Sequence, residues 1–363
     1  MLCDEKKISK EWLANGMNDN ELEALSNNVK RQERGKAPWA TWESENSSFG
    51  RTLRLWTGYP DWLPLLVCSD HGVAFHGKIG LNEIENKYKV HLTWNAKKYK
   101  SLQTYPNIDP VHVQHPWVSY RKTHYADHHK KNRKGTVVYF PHSNPQSELV
   151  FDLERFIENL KNLPSKFHPV FLCLMSHDIK KGLHKALRKY GIPLVTAGNT
   201  NSQYFVDRFY EIAYGFRYAA SVDLGSHVFY LLEAGVPVFL TGDPVKRVVK
   251  EDWAEYKEGD VLEEICYNEE QLSRINAVKA ALSIASTVSD AVLPEQREIA
   301  EYYLGVHSET TSEDLNKILW KSLGANKKNT ANLYIKTGWK KIRSVFKKLI
   351  NLVFSNRGLA NEF

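Results

Sequence analysis

The sequence predicts an α/β protein in which two doubly wound, mainly parallel sheets face a central cleft, followed by a C-terminal amphipathic helix. Three observations predict it. Apolar strand-like runs alternate with helix-period segments between residues 136 and 240, the pattern of a parallel sheet covered on both faces. A chain of 363 residues is long enough for two such units and a tail. From Lys327 onward, apolar residues recur at helical spacing in a strongly basic setting.

The first domain is placed at residues 1–132. Residues 1–35 are polar and charged, with helical patches at 11–14 and 21–25, and read as a peripheral preamble. Residues 63–68 then form an apolar strand that runs straight into Ser69-Asp70-His71-Gly72. In an open α/β domain the ligand crevice lies outside the carboxyl ends of the strands. Asp70 and His71 are therefore the candidate catalytic pair, with Asp70 as general base and His71 or His76 as acid or phosphate partner. The structural alternative is that Asp70 caps the following turn. Strand-like runs follow at 88–94 and 111–118; Pro116 within the second marks an edge or strand end, and His115 reads as a cleft residue, the alternative being a surface histidine. Residues 122–134, KTHYADHHKKNRK, read as the domain linker. The spacing of His124, Asp127, His128 and His129 is not that of a compact metal site, so no metal is expected.

The second domain, residues 133–325, opens on a buried strand at 136–140 that ends in Pro141-His142-Ser143-Asn144. The strand at 170–174 ends in Ser176-His177-Asp178, and the one at 193–195 ends in Thr196-Ala197-Gly198-Asn199. Helices are predicted at 149–163 and 203–213, with another reaching Tyr190. The segment SVDLGSHVFYLLEAGVPVFLTGD, residues 221–243, organises the rest. Gly225-Ser226 starts a helix there, so free N–H groups and the positive end of its dipole point into the cleft and suit a phosphate. Val236 and the run Val238, Phe239, Leu240 form the buried strand after it. Four strand ends thus face one crevice, and His142, Ser143, Thr196, Gly198, Asn199, Gly225, Ser226 and His227 are the candidate nucleotide-binding residues. Residues 250–322 are predicted mainly helical.

Net charge is +7, and much of the excess sits in the tail, residues 326–363. Residues 327–357 hold nine Lys or Arg and no acid. Ile335, Trp339, Ile342, Phe346, Leu349 and Val353 form one stripe, set against Lys336, Lys340, Lys341, Arg343, Lys347 and Lys348. Residues 333–354 read as an interfacial helix on an anionic membrane, the alternative being a helix docked on the protein's own core. No run of 18 apolar residues occurs. With no apolar signal core at the N-terminus, the expected location is cytoplasmic, peripheral on the inner face of the cell membrane. No nucleic-acid-binding motif is present, so nucleic acid is not an expected partner. The four cysteines lack CxxC spacing and are expected to be reduced and structural.

The motifs PHS, TAGN and SVDLGSHVFYLLEAGVPV resemble those of bacterial GT-B glycosyltransferases of capsule and lipopolysaccharide biosynthesis, over about residues 60–245. That architecture consists of two Rossmann-like domains, and the resemblance implies terminal helices that cross back over the first. Within the group, the chain is similar to sialic-acid and Kdo transferases, which use CMP-activated donors. These carry an Asp-containing, glycine-terminated motif, a His-Pro motif and a later Ser/Thr motif. Here Ser69-Asp70-His71-Gly72 stands for the first, His142 for the second and Gly225-Ser226 for the third. His142 departs from the pattern, since proline precedes it and serine follows it. Many UDP-sugar enzymes of this architecture hold the ribose with a glutamate ahead of the GxPV glycine. The matching position here is Phe229, and Glu233 is out of register, which favours CMP.

The resemblance implies a metal-independent glycosyltransferase without a cofactor. Its donor is a CMP-linked ulosonic acid such as Kdo or a sialic-acid-like sugar, and its acceptor is a glycan or a lipid-linked sugar. Asp70 would deprotonate the acceptor, and His142, Ser143, Ser226 and His227 would hold the phosphate. The rival readings are a UDP- or GDP-sugar enzyme, a teichoic-acid-type glycerophosphotransferase and a non-catalytic membrane-associated scaffold.

Overall fold

The computed structural model describes residues 7–27, 34–74, 77, 79–126, 133–143, 146–243, 245–252, 256–262, 266–282 and 289–336. The smaller sheet contains β1 (Cys68–Ser69), β2 (Val90–Thr93) and β3 (Asp109–His112), all parallel, in the order β1-β2-β3. The larger sheet contains β4 (Thr136–Tyr139), β6 (Val170–Cys173), β7 (Leu194–Val195), β8 (Tyr218–Ser221) and β9 (Val238–Leu240). Its strands are all parallel and lie in the order β7-β6-β4-β8-β9. A separate antiparallel pair joins β5 (Ser147–Val150) to β10 (Lys246–Val249). Val137, Val138, Leu172, Ala219 and Ala220 are fully buried, as both-face coverage of a parallel sheet requires.

The helices, in chain order, begin with α1 (Lys10–Asn15), α2 (Asp19–Ser26), α3 (Phe49–Thr57), α4 (Leu81–Ile84), α5 (Ala96–Leu102) and α6 (Pro116–His124). The larger sheet is interleaved with α7 (Leu153–Lys161), α8 (Ser176–Lys180), α9 (Leu183–Arg188), α10 (Phe205–Ala213) and α11 (Ser226–Glu233). The chain continues through α12 (Glu269–Ala281), α13 (Pro294–Tyr303), α14 (Ser312–Ala325) and α15 (Lys327–Lys336). Among the described residues, no helix is long and apolar enough to cross a membrane.

Three local readings change. The run at 111–118 is not one strand: β3 ends at His112 and Pro116 opens α6, with His115 as its N-cap. Proline fits the first helical turn because its φ is already helical and its missing N–H has no partner there to lose. The run at 63–68 is buried, but only Cys68–Ser69 pairs as strand. The N-terminal helices pack on the larger sheet rather than the smaller. The Met17 N–H donates to the Leu194 carbonyl of β7 at 2.7 Å, and Arg188 holds Asp19 at 2.8 Å. Trp12, Met17 and Leu22 bury their side chains in that packing.

At the other end of the chain, α14 lies on the smaller unit. Ser322 Oγ donates to the Leu66 carbonyl at 2.6 Å, Asn316 Nδ2 donates to the Thr57 carbonyl at 2.8 Å, and Trp320 meets Tyr59 edge-on at 5.4 Å. A bidentate Arg121–Glu233 pair at 2.7 and 2.6 Å joins α6 to α11. Glu233 is thereby committed to a structural ion pair. In the tail, the Tyr334 hydroxyl donates to the Trp62 carbonyl, while Ile335 is 61% exposed. The rest of the basic stripe, from residue 337, lies outside the described residues, as do His76, Asp127, His128 and His129. Cys68, Cys173 and Cys266 are unbonded. Burial pushes the Cys68 and Cys173 thiols up to about 12, which leaves them chemically inert.

Candidate functional site

The chain leaves β4 to build β6 and β7 on one side, then returns to the other side of β4 as β8. The strand order reverses there, and in such sheets the ligand crevice opens outside the carboxyl ends of the two strands flanking the reversal. These strands deliver His142 and Ser143 after β4, and Gly225, Ser226 and His227 after β8. No side chain caps the N-terminus of α11; the Val228 N–H turns back onto the Gly225 carbonyl at 3.0 Å, and the positive end of the dipole faces the crevice. Gly225 is required at the cap because His227 folds back over it; a Cβ there would stand 2.8 Å from the imidazole.

Ser226 joins the two halves of the site. Its Oγ accepts the Val73 N–H at 2.8 Å, which puts the α11 terminus against the loop after β1. The Tyr230 hydroxyl is also bonded to Ser226 and lies 3.0 Å from His115 Nε2. His115 Nδ1 accepts the Trp117 N–H, so the ring proton sits on Nε2 and is donated to Tyr230. The ring is fully buried against Phe49, Trp94 and Tyr230, and burial pushes its pKa down to about 3. His115 is therefore a neutral packing residue rather than a cleft residue. Gly72 has φ +70, and a Cβ on it would collide with Ser226 Oγ. Gly72→Ala is expected to cost about 1–3 kcal/mol through left-handed strain alone, read as a lower urea midpoint. An unchanged midpoint would contradict this close approach.

Asp70 is in a different state from the one expected of a general base. It is 0% exposed and accepts from Lys98 Nζ at 2.7 Å, His91 Nε2 at 3.0 Å and Thr93 Oγ1 at 2.6 Å. Burial alone would raise its pKa, but the Lys98 ammonium and His91 hold it well below the usual carboxylate range. A saturated, solvent-excluded anion cannot reach an acceptor hydroxyl, so in this structure Asp70 is a counter-ion tying β1 to β2 and α5. Asp70, Glu83 and His91 bring ligand-type atoms within 4.8 Å of one another. Lys98 already bridges the two carboxylates, with its ammonium 2.6 Å from Glu83, so a protein cation fills the cluster.

His71, next in sequence, is open to solvent and walled by the cleft. Its ring packs on Trp42 at 4.7 Å, and its Nδ1 lies 3.4 Å from Asn46 Nδ2. Desolvation by the walls lowers its pKa, with His142 and Lys98 adding to the effect and Glu43 opposing it. His142 is likewise open, and its Nδ1 lies 3.1 Å from the Ser143 carbonyl. Its pKa is lowered by desolvation and Arg247, against the Ser143 carbonyl and Asp178. His142 is close enough to act electrostatically on His71, His177 and His227, so four imidazoles converge on the crevice.

His227 is not a cation in that group. Its Nε2–H donates to Ser221 Oγ at 3.0 Å, since the Ser221 hydroxyl proton is already given to the Asp223 carbonyl. The ring stacks on Tyr139 and burial pushes its pKa down to about 3. Ser143 is also spent internally: its N–H and Oγ–H donate to Asp178 Oδ1 at 3.2 and 2.8 Å, and Lys181 donates to its Oγ at 2.8 Å. Thr196, Gly198 and Asn199 do not line the crevice as expected. Thr196 Oγ1 accepts the Gly198 N–H and donates to the Leu174 carbonyl. Asn199 holds the carbonyls of Leu25, Ser26 and Asn27, so this loop clasps the end of α2.

Sequence reasoning missed Trp42, Asn46, Tyr230 and Arg247. The one available signal was an exposed-type Trp beside a Ser/Asn-rich turn, WESENSS. A shallow depression of about 520 Å³ near Asn15–Asn20 and Arg188 holds none of the expected site residues, and its Arg188 is already bonded to Asp19. No known family model and no curated protein matches the chain.

Proposed function

We propose that the protein is a metal-independent glycosyltransferase that takes a sugar from a nucleotide donor, a CMP-linked ulosonic acid being the favoured one, and passes it to a glycan or lipid-linked acceptor in bacterial surface-polysaccharide synthesis. The observation that carries this is the meeting, at the strand reversal, of the uncapped α11 terminus with open histidines from both units. An anionic phosphate suits that terminus, and the loop after β1 brings a second wall for the acceptor. The phosphate-facing set is Gly225 and the N–H groups that open α11, and Arg247 is close enough to His142 to act on it electrostatically. The basic segment 333–354 brings the crevice to an anionic membrane, where a lipid-linked acceptor resides.

Two open imidazoles also support a second reading, a glycerophosphotransferase using a CDP-alcohol. Thermal unfolding with CMP, CDP, UDP and GDP in turn tests the readings. A ligand at 100 times its Kd stabilises by about 2.7 kcal/mol, a readable shift. CMP alone is expected to shift the midpoint. A CDP-alcohol transferase also releases CMP, so a CMP shift is shared by the two readings. A second arm divides them: consumption of CDP-glycerol favours the phosphotransferase, and consumption of a CMP-linked sugar the glycosyltransferase. A shift with UDP or GDP replaces the donor, and none with any nucleotide removes the catalytic reading in favour of a scaffold.

A further inference from the structure

We propose that His142 and His71 divide the acid–base work of the crevice, His142 as general base through Nε2 and His71 as hydrogen-bond donor to the leaving phosphate through Nε2–H, because their neighbours hold them in opposite tautomers. The Ser143 carbonyl can only accept, so the His142 proton resides on Nδ1 and the lone pair on Nε2. As oriented, the Asn46 amide offers Nδ2 to His71 Nδ1 at 3.4 Å and leaves its own buried Oδ1 without a partner; this orientation puts the lone pair on His71 Nδ1 and the proton on Nε2. Both rings stay neutral at pH 7, since the crevice lowers both.

Asn46 is a positioning residue in this arrangement. It is fully buried and sits at the start of a turn whose next two residues, Ser47 (φ 50) and Ser48 (φ 63), are left-handed without being glycine. Such strain persists only where surrounding structure over-determines it. Here Ser47 donates its N–H to the Thr200 carbonyl and accepts Trp117 Nε1–H, and Ser48 Oγ bridges Ser202 and Val206. The clamp fixes Asn46 against His71 from both units.

The step balances without a metal. The acceptor hydroxyl proton passes to His142 Nε2 as its oxygen bonds the anomeric carbon. The anomeric C–O bond to phosphate breaks with its electron pair going to the phosphate oxygen, which the α11 terminus and His71 Nε2–H receive. The groups around His142 are Arg247, Asp178, His177, His227 and His71; those around His71 are Glu43, Lys98 and His142.

The roles rest on the glycosyl-transfer reading, but the tautomers are measurable without a substrate. Histidine-selective ¹⁵N NMR on the full chain, assigned with His71→Gln and His142→Gln, is expected to show His142 protonated on Nδ1 and His71 on Nε2 at pH 7. Asn46→Asp keeps the shape but can only accept, so it is expected to reverse the His71 tautomer and raise its pKa while leaving His142 unmoved. His142 protonated on Nε2, or charged at pH 7, overturns the base assignment. A His71 signal indifferent to both Asn46→Asp and Asn46→Ala overturns the positioning role. Opposite tautomers with no CMP shift would sink the proposed function alone, whereas a CMP shift with the tautomers reversed would sink these roles alone.

Discussion

Lys98→Met is expected to destabilise the protein by about 3–5 kcal/mol, the cost of leaving buried charge without its partner. Lys98 is 2% exposed, and its ammonium bridges Asp70 and Glu83 at 2.7 and 2.6 Å. Methionine replaces the stem closely, so little of the loss comes from packing. What remains is a fully buried carboxylate held by His91 and Thr93 alone, beside a second carboxylate. Asp70→Asn in the same background removes the orphaned charge and is expected to recover part of the loss, so the double change is less than additive. Urea unfolding of the single and double variants is the measurement. A Lys98→Met cost below about 1 kcal/mol, the range of exposed pairs, would mean that the cluster is solvated rather than buried. It would also return Asp70 to the list of groups able to take a proton.

The larger sheet was legible because its signals are local. Each strand is a short apolar run bounded by polar loop residues, and β4, β6, β7 and β9 fall where those runs fall. The reversal that defines the crevice is seen only in the strand order of the structure. What sequence could not carry was the partner of each polar side chain. Asp70 looked free because Lys98 arrives from a helix 28 residues later, after a strand of its own. Thr196, Gly198 and Asn199 have the same residue types whether they bind a phosphate or close a helix, and only the arrival of α2 decides between them. Pro116 was ambiguous in the same way, since proline marks both strand edges and first helical turns. Glu233 was set aside as a ribose ligand on spacing, and in the structure its carboxylate pairs with Arg121.

Acid is expected to unfold the protein well before its carboxylates are protonated. His115 and His227 are both held neutral, with pKa values pushed down to about 3, whereas an unfolded histidine titrates near 6.5. Between those values the unfolded chain binds protons that the folded one refuses, so stability is full above pH 6.5 and falls as pH falls. Each group costs on the order of 1.4 kcal/mol per pH unit in that window, and the pair about twice that. A domain has about 5–15 kcal/mol in all, so a drop from pH 6.5 to 4 removes a large share of it. Asp70 adds nothing in this window, because its depressed pKa withdraws stability only below the ordinary carboxylate range. Urea midpoints at pH 7, 5.5 and 4.5 read the slope directly, and a flat profile would mean that these rings are charged or solvated in the fold. His115→Gln removes one proton from the slope and is expected to reduce it by about half. On the proposed reaction the crevice is expected to fail in the same direction for its own reason: a base at His142 must be neutral to accept a proton, so turnover would fall on the acid side of the ordinary histidine value, beginning below pH 6.5. A variant that flattens the stability profile yet keeps this acid limb would show that folding and chemistry depend on different histidines.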